Sequence, residues 1–171
     1  MLNSKIEKEL NKQINKEFFS SYLYMSMAAY FESIDLLGFG NWMQIQAKEE
    51  LTHAEKMYNF VHERGGKVVL EQIDKPQSEW ASPLAAFEAA LAHEEFITAS
   101  INEIVNIALE EKDHATNIFL QWFVTEQVEE EASAGEIIKK LRLMKDAPGG
   151  LFMLDKELGA RTLTLPADTA Q

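Results

Sequence analysis

Residues 46–54 read Gln-Ala-Lys-Glu-Glu-Leu-Thr-His-Ala. Wound as a helix, this stretch puts Glu50 and His53, three residues apart, on one face between the apolar Met43 and Met57. A carboxylate and an imidazole therefore interrupt what is otherwise a core-facing stripe. Glutamate on such a stripe ordinarily sits at its edge, and an isolated Glu-x-x-His recurs by chance. The meaning of this pair depends on what the rest of the chain brings to the same level.

Outward from it, glycine and proline are sparse and punctuate long helical stretches. Residues 1–37 hold neither, and Gly38 and Gly40 suggest a turn. Residues 41–64 run unbroken to Gly65-Gly66. A polar, breaker-rich stretch ends at Ser82-Pro83, an N-cap followed by proline at the first helical position. Between Pro83 and Ala147 only Gly135 intervenes, a length that as one helix would approach ~100 Å. A turn at Lys112-Asp113 resolves this, with Asp113 capping the next helix. The spacing predicts helices over about 3–37, 41–64, 83–111 and 114–146, with a short fifth over about 150–159. The domain spans 1–160, followed by a flexible tail over 161–171.

Apolar residues recur at helical period in all four long segments. The first carries Ile6, Leu10, Ile14, Ser21, Tyr24, Ala28 and Phe31; the second Met43, Met57 and Phe60. The third carries Phe87, Leu91, Ile97, Ile101, Ile104 and Ala108, and the fourth Phe119, Phe123, Ala134, Ile137 and Leu141. No segment alternates as a strand does, so the fold class is all-α, a four-helix bundle. Residues 65–82 exceed what antiparallel neighbours need and, extended, can run the length of the bundle. That predicts a long crossover leaving the second and third helices parallel.

Every stripe is interrupted by acid. Glu17 falls between Ile14 and Ser21, Glu94 between Leu91 and Ile97, and Gln127 with Glu130 between Phe123 and Ala134. At ~1.5 Å per residue Glu17, Glu50, Glu94 and Glu130 lie within about one helical turn of a common level. Four ionised carboxylates in a core cost several kcal/mol each without compensation. No lysine or arginine interrupts the stripes near them, so divalent cations are the economical answer, two ions balancing four charges. Two single-Glu helices and a Glu-x-x-His helix follow the di-iron bundle pattern. Gln127-x-x-Glu130 stands where a second Glu-x-x-His would be, so the two ion positions are unequal. Tyr24 borders the cluster on the face of Glu17. Glu49, Glu126 and Glu129 flank it. Trp122 reads as packing, and His62, His93 and His114 receive no role.

Composition narrows the alternatives. The 171 residues carry a formal net charge of −12 and no cysteine. Polyanionic partners, nucleic acid and anionic membrane, are disfavoured. Disulfides, zinc–thiolate sites and iron–sulfur clusters are excluded. No apolar run approaches the ~18 residues of a membrane span, and Met1–Glu9 lacks a signal-peptide core. The expected location is the cytoplasm.

Four stretches resemble the bacterial non-haem ferritins: Asn15–Tyr24 (NKEFFSSYLY), Gln46–Ala54, His93-Glu94-Glu95, and Phe119–Glu131 (FLQWFVTEQVEEE). The resemblance covers about residues 3–160 and implies a ferritin-like four-helix bundle with ferroxidase and iron-storage activity. By it, Glu17, Glu50 and His53 bind a first iron, Glu50 bridges, and Glu94 with Glu130 completes the second. By the same resemblance Gln127 lies beside the site, bonding bound oxygen or water, and Tyr24 supplies an electron during oxygen reduction. Glu49, Glu126 and Glu129, with Glu130, form a third iron site. The resemblance further implies ferrous iron with dioxygen or hydrogen peroxide as reactants, a 24-subunit cage, and the fifth helix at its four-fold axes. The bacterioferritins carry histidine at the last ligand position and a haem-binding methionine. Here those positions are Glu130 and Leu51, so no haem is expected. The alternatives are a peroxide-reducing di-metal bundle enzyme and a non-catalytic storage or structural subunit.

Overall fold

The computed structural model describes residues 2–144, 147 and 149–163. Among them are five helices and no strand: α1 (Ser4–Ser33), α2 (Leu37–Glu63), α3 (Pro83–Glu110), α4 (His114–Leu143) and the short α5 (Gly150–Leu158). Caps account for three of the starts. The side chains of Asn3, Ser82 and Asp113 accept from the backbone N–H of Lys5, Ala85 and Thr116, satisfying donors that a helix start leaves free.

Residues 65–82 form the crossover, and its course can be followed along α1. Lys67 and Val69 bond Asn11, the Gln72 carbonyl accepts from Asn15, the Gln77 carbonyl accepts from Ser26, and Trp80 packs on Tyr30 at 5.3 Å. The strap thus ascends in the direction of α1. The third helix then descends beside α1, pairing Phe87 with Phe31, Glu94 with Tyr24 and Ser100 with Gln13. Since α2 also descends beside α1, α2 and α3 are parallel. A short link would have made them antiparallel.

The turn between the first two helices is not at the glycines. It lies at residues 34–36, where Asp35 takes φ +60°, and Gly38 and Gly40 sit inside the first turn of α2. Close packing explains them. A Cβ on Gly38 would stand 1.7 Å from the carbonyl oxygen of Asp155 in α5, and one on Gly40 would stand 3.1 Å from Glu32 Cγ. The Asp155 carboxylate accepts from the amides of Gly38 (2.8 Å) and Phe39 (3.1 Å), so α5 caps α2 where the N-cap residue Leu36 has no side-chain acceptor to do so.

The fourth helix ends at Leu143, short of the expected 146; residues 145 and 146 lie outside those described. The tail expected over 161–171 is described only as far as residue 163. Residues 164–171 lie outside the described set, and Arg161 folds back on the bundle: its guanidinium lies 4.4 Å from the Trp42 ring and bonds Gln46 and Glu49. Asn41 in turn donates to the carbonyls of Leu158 and Arg161.

The apolar core comes in two pieces. One gathers Tyr24, Phe31, Phe39, Trp42, Met43, Phe87 and Leu141, with Leu154 and Leu158 of α5. The other gathers Ile6, Leu10, Ile14, Met57, Phe60, Ile97, Ile104 and Phe123. Leu91 and Phe119 are only partly buried, at the margins. What separates the two is a polar layer.

Candidate metal centre

That layer holds Glu17, Glu50, His53, Glu94, Gln127 and Glu130, one or two from each long helix, all buried. Their convergence follows from the helical register: each interrupts an apolar stripe at the same level of an antiparallel bundle. Glu17, Glu50 and Glu94 are each 1% exposed and Glu130 is 8% exposed. His53 Nδ1 stands 3.4 Å from Glu50 Oε2, and its Nε2 stands 4.0 Å from Glu130 Oε1. The His53 ring is itself held edge-on against Trp122 and Phe123.

The ligand atoms fall into overlapping triads. Glu17, Glu50 and His53 each offer one atom within 4.8 Å of the others, and so do Glu50, Glu94 and Glu130. Glu50 belongs to both, the arrangement a bridging carboxylate requires. Two carboxylate oxygens, Glu17 Oε2 and Glu130 Oε2, are buried with no hydrogen-bond partner among the described residues. An unpaired buried acceptor costs about 1–3 kcal/mol, more when charged. A hard divalent cation accepted by both oxygens would remove that cost, so the donor set fits such an ion.

Electrostatics give the same account. Burial, then the Glu50 charge, pushes the Glu17 carboxyl up to about 8. Burial raises Glu50 too, with Glu94 adding to it, and raises Glu130 well above the carboxylate range, with Glu50 adding. Burial alone would depress His53, but the adjoining Glu50 carboxylate overcomes it and holds the imidazole at about 9. Without cations the layer thus retains protons that ligation must expel.

Polar neighbours fix the carboxylates. Gln13 Nε2 donates to Glu17 Oε1 at 2.9 Å, and Ser100 fixes the Gln13 amide from the other end. Gln46 Nε2 donates to Glu50 Oε1 at 3.1 Å and Glu130 Oε1 at 2.9 Å. The Tyr24 hydroxyl, fully buried, donates to Glu94 Oε1; burial, with Glu94 next, raises its pKa well above the phenol range. Gln127 donates to Glu94 Oε2 (3.1 Å) and Thr98 Oγ1 (3.3 Å), so its amide is spent on orienting Glu94. Gln13 and Gln46 were missed in the sequence, although each precedes its glutamate by four residues, one turn along the same face.

Glu49, Glu126 and Glu129, with Glu130, line an open cleft of about 360 Å³ beside the layer. Of the three flanking residues only Glu126 offers an atom within 4.8 Å of His53 and Glu130. Glu49 is engaged elsewhere, by Arg161 at 2.5 Å. No stripe-based reading finds that arginine, because it arrives from beyond the fifth helix. His93, left without a role, bonds Ser20 at 2.8 Å and packs edge-on to Tyr24.

The same fold and much of the same sequence recur in known proteins. A family model described as a ferritin-like domain matches residues 7–144. A bacterial non-heme ferritin of Bacteroides fragilis is 42% identical over 161 residues, covering 94% of this chain and all of that one. Its counterpart in Staphylococcus aureus is 38% identical over 162 residues, covering 95% of this chain and 98% of that one. The crystal structure of an open-pore ferritin from the hyperthermophilic archaeon Archaeoglobus fulgidus superposes with a TM-score of 0.94 at 55% identity, over 95% of this chain and 100% of that one.

Proposed function

Because the chain belongs to the ferritin family, we propose that it stores iron and is a ferroxidase: it binds two Fe(II) ions in the polar layer, passes their electrons to dioxygen or hydrogen peroxide, and stores the Fe(III) as a mineral inside a cage of like subunits. The observation that carries this reading is the pair of orphaned oxygens, Glu17 Oε2 and Glu130 Oε2, in a buried layer that contains no lysine or arginine among the described residues.

In this reading Glu17, Glu50 and His53 take the first ion, and Glu50, Glu94 and Glu130 the second. Iron is the substrate and supplies the redox chemistry; the protein supplies ligands and geometry. The unequal donor sets leave the second ion without nitrogen and so easier to release toward a mineral. Gln13, Gln46 and Gln127 hold the carboxylates in position, which lowers the cost of assembling four like charges. In the same reading Tyr24, bonded to Glu94, donates an electron as oxygen is reduced. Glu126, with Glu129 and Glu49, offers a third cation position on the route outward.

Assembly is supported by the outer faces of the helices. Ile118 is 71% exposed, Val128 67% and Phe152 74%, which a subunit inside a closed shell would cover. No described helix is long and apolar enough to cross a membrane. A cytoplasmic location and the absence of haem are part of the same proposal.

Stopped-flow absorbance tests the site. Fe(II) is added anaerobically and the protein mixed with oxygen, stepping the iron per subunit. A fast phase that saturates near two irons, and that Glu50→Ala or His53→Ala slows at least ~100-fold with the fold intact, is expected. Unchanged initial rates in both variants would sink the assignment.

A further inference from the structure

The outer cleft already contains a cation of its own. Arg161 Nη2 meets Glu49 Oε2 at 2.5 Å, and both Nη atoms reach Gln46 Oε1 at 3.1 Å. The guanidinium lies 4.4 Å from the Trp42 ring, and the cleft it enters is walled by Glu126, Glu129 and Glu130. Its backbone is moored separately: Asn41 donates to the carbonyls of Leu158 and Arg161, and Asp155 caps α2. The arginine is therefore held at the mouth of the cleft by α5 whether or not its side chain stays in contact with Glu49.

The same contacts reach the buried layer. Gln46 has one carboxamide. Its oxygen accepts from Arg161, which leaves its nitrogen facing inward, where it donates to both Glu50 and Glu130. If the amide turned over, an oxygen would face two carboxylates. Arg161 thus holds the Gln46 amide in the orientation that serves the inner layer.

We infer that Arg161 is a tethered, displaceable counter-cation of the outer cleft, competing there with a metal ion and, through Gln46, positioning Glu50 and Glu130. A guanidinium keeps its charge at every working pH, so the competition cannot be titrated away. Both partners remain a fifth to a quarter exposed, so the pair is weak enough to yield to a divalent ion. An ion that recruits Glu49 must take it from Arg161, and one held by Glu126 and Glu130 alone still shares the cleft with the guanidinium charge, so by reciprocity Arg161 lowers the affinity of that ion. This rests on the iron-site reading only for the identity of the natural competitor.

Equilibrium binding of Zn(II), which has no redox chemistry, separates the two. The Glu50→Ala-sensitive sites are the inner class, and the sites lost in Glu126→Gln/Glu129→Gln are the outer class. Arg161→Ala and Arg161→Gln are expected to tighten the outer class about tenfold, while Arg161→Lys restores the weaker binding of the parent. Arg161→Gln keeps a donor for Gln46 and serves as the control for folding and assembly. Outer affinity that is unchanged or weaker in both neutral variants would overturn the inference and leave Arg161 a structural anchor. Loss of the inner class from the parent protein would instead overturn the iron-site reading, and the outer-class comparison would still stand.

Discussion

A glutamate on a helix stripe is unremarkable alone; Glu17 gains meaning from what surrounds it. Its carboxyl is held up at about 8 and the His53 imidazole at about 9, against ordinary values of 4.5 and 6.5. Both are raised, so the folded state keeps protons that the unfolded chain has released. Their contribution is complete below the unfolded values and is lost as pH rises through the folded ones. The cation-free protein is therefore expected to melt at falling temperature from pH 6.5 to pH 9. Glu17→Gln removes the buried charge while keeping its shape. Removing such a charge is worth ~1–4 kcal/mol, and a chain of this size gains about 2–4 °C per kcal/mol. Calorimetry without metal should show the variant several degrees more stable at pH 8.5 and closer to the parent at pH 6.5. The same variant should bind Zn(II) more weakly, the cost of stability gained at a functional site. A variant no more stable than its parent at pH 8.5 would mean that Glu17 is already neutralised by the protein.

At the scale of elements, the junction of α5 with the start of α2 carries the clearest consequence. Asp155→Ala removes the cap on Gly38 and Phe39 and should cost about 1 kcal/mol, with faster hydrogen exchange at those two amides. Gly38→Ala should cost more, because its Cβ would overlap the Asp155 backbone and α5 would have to move. If Gly38→Ala were as stable as the parent, the close approach of these helices would be wrong. The same junction marks how far the sequence could be read. Helix number, the crossover and the stripes were legible because local period and breaker positions set them. The first turn was misplaced because Gly38 serves a contact with Asp155, more than a hundred positions away, and Gly40 a close approach to Glu32 of α1; local turn signals encode neither. Gln13 and Gln46 lie one turn from Glu17 and Glu50, but a neutral amide costs far less to bury than a charge, so its place on a stripe carries a weaker signal. Arg161 was not legible, since nothing in its neighbourhood says that it folds back onto Trp42 and Glu49.

The molecule as a whole is a bundle whose core is cut in two by a buried polar layer. Each apolar half spans all four long helices, so the halves are joined through backbone that passes a level rich in buried carboxylates. Without cations that level holds carboxyls whose charge burial disfavours and two oxygens without partners, and a bound cation would make it a crosslink between helices distant in sequence. Binding confined to the folded state stabilises it by RT ln(1 + [L]/Kd), about 2.7 kcal/mol when ligand stands at a hundred times its Kd. For this chain length that corresponds to about 5–10 °C. Zn(II) at such a concentration should therefore raise the melting temperature by that amount in the parent and far less in Glu50→Ala, whose lost carboxylate served both ions. Hydrogen exchange supplies the spatial test. Because Glu17, Glu50, Glu94 and Glu130 come from four helices, Zn(II) should slow exchange on both sides of the layer together, around Met27 and Phe87 as well as Leu10 and Ile101. Slowing confined to the outer cleft near Glu126 would mean that the ion never entered the bundle, and the iron-site reading would fall with it.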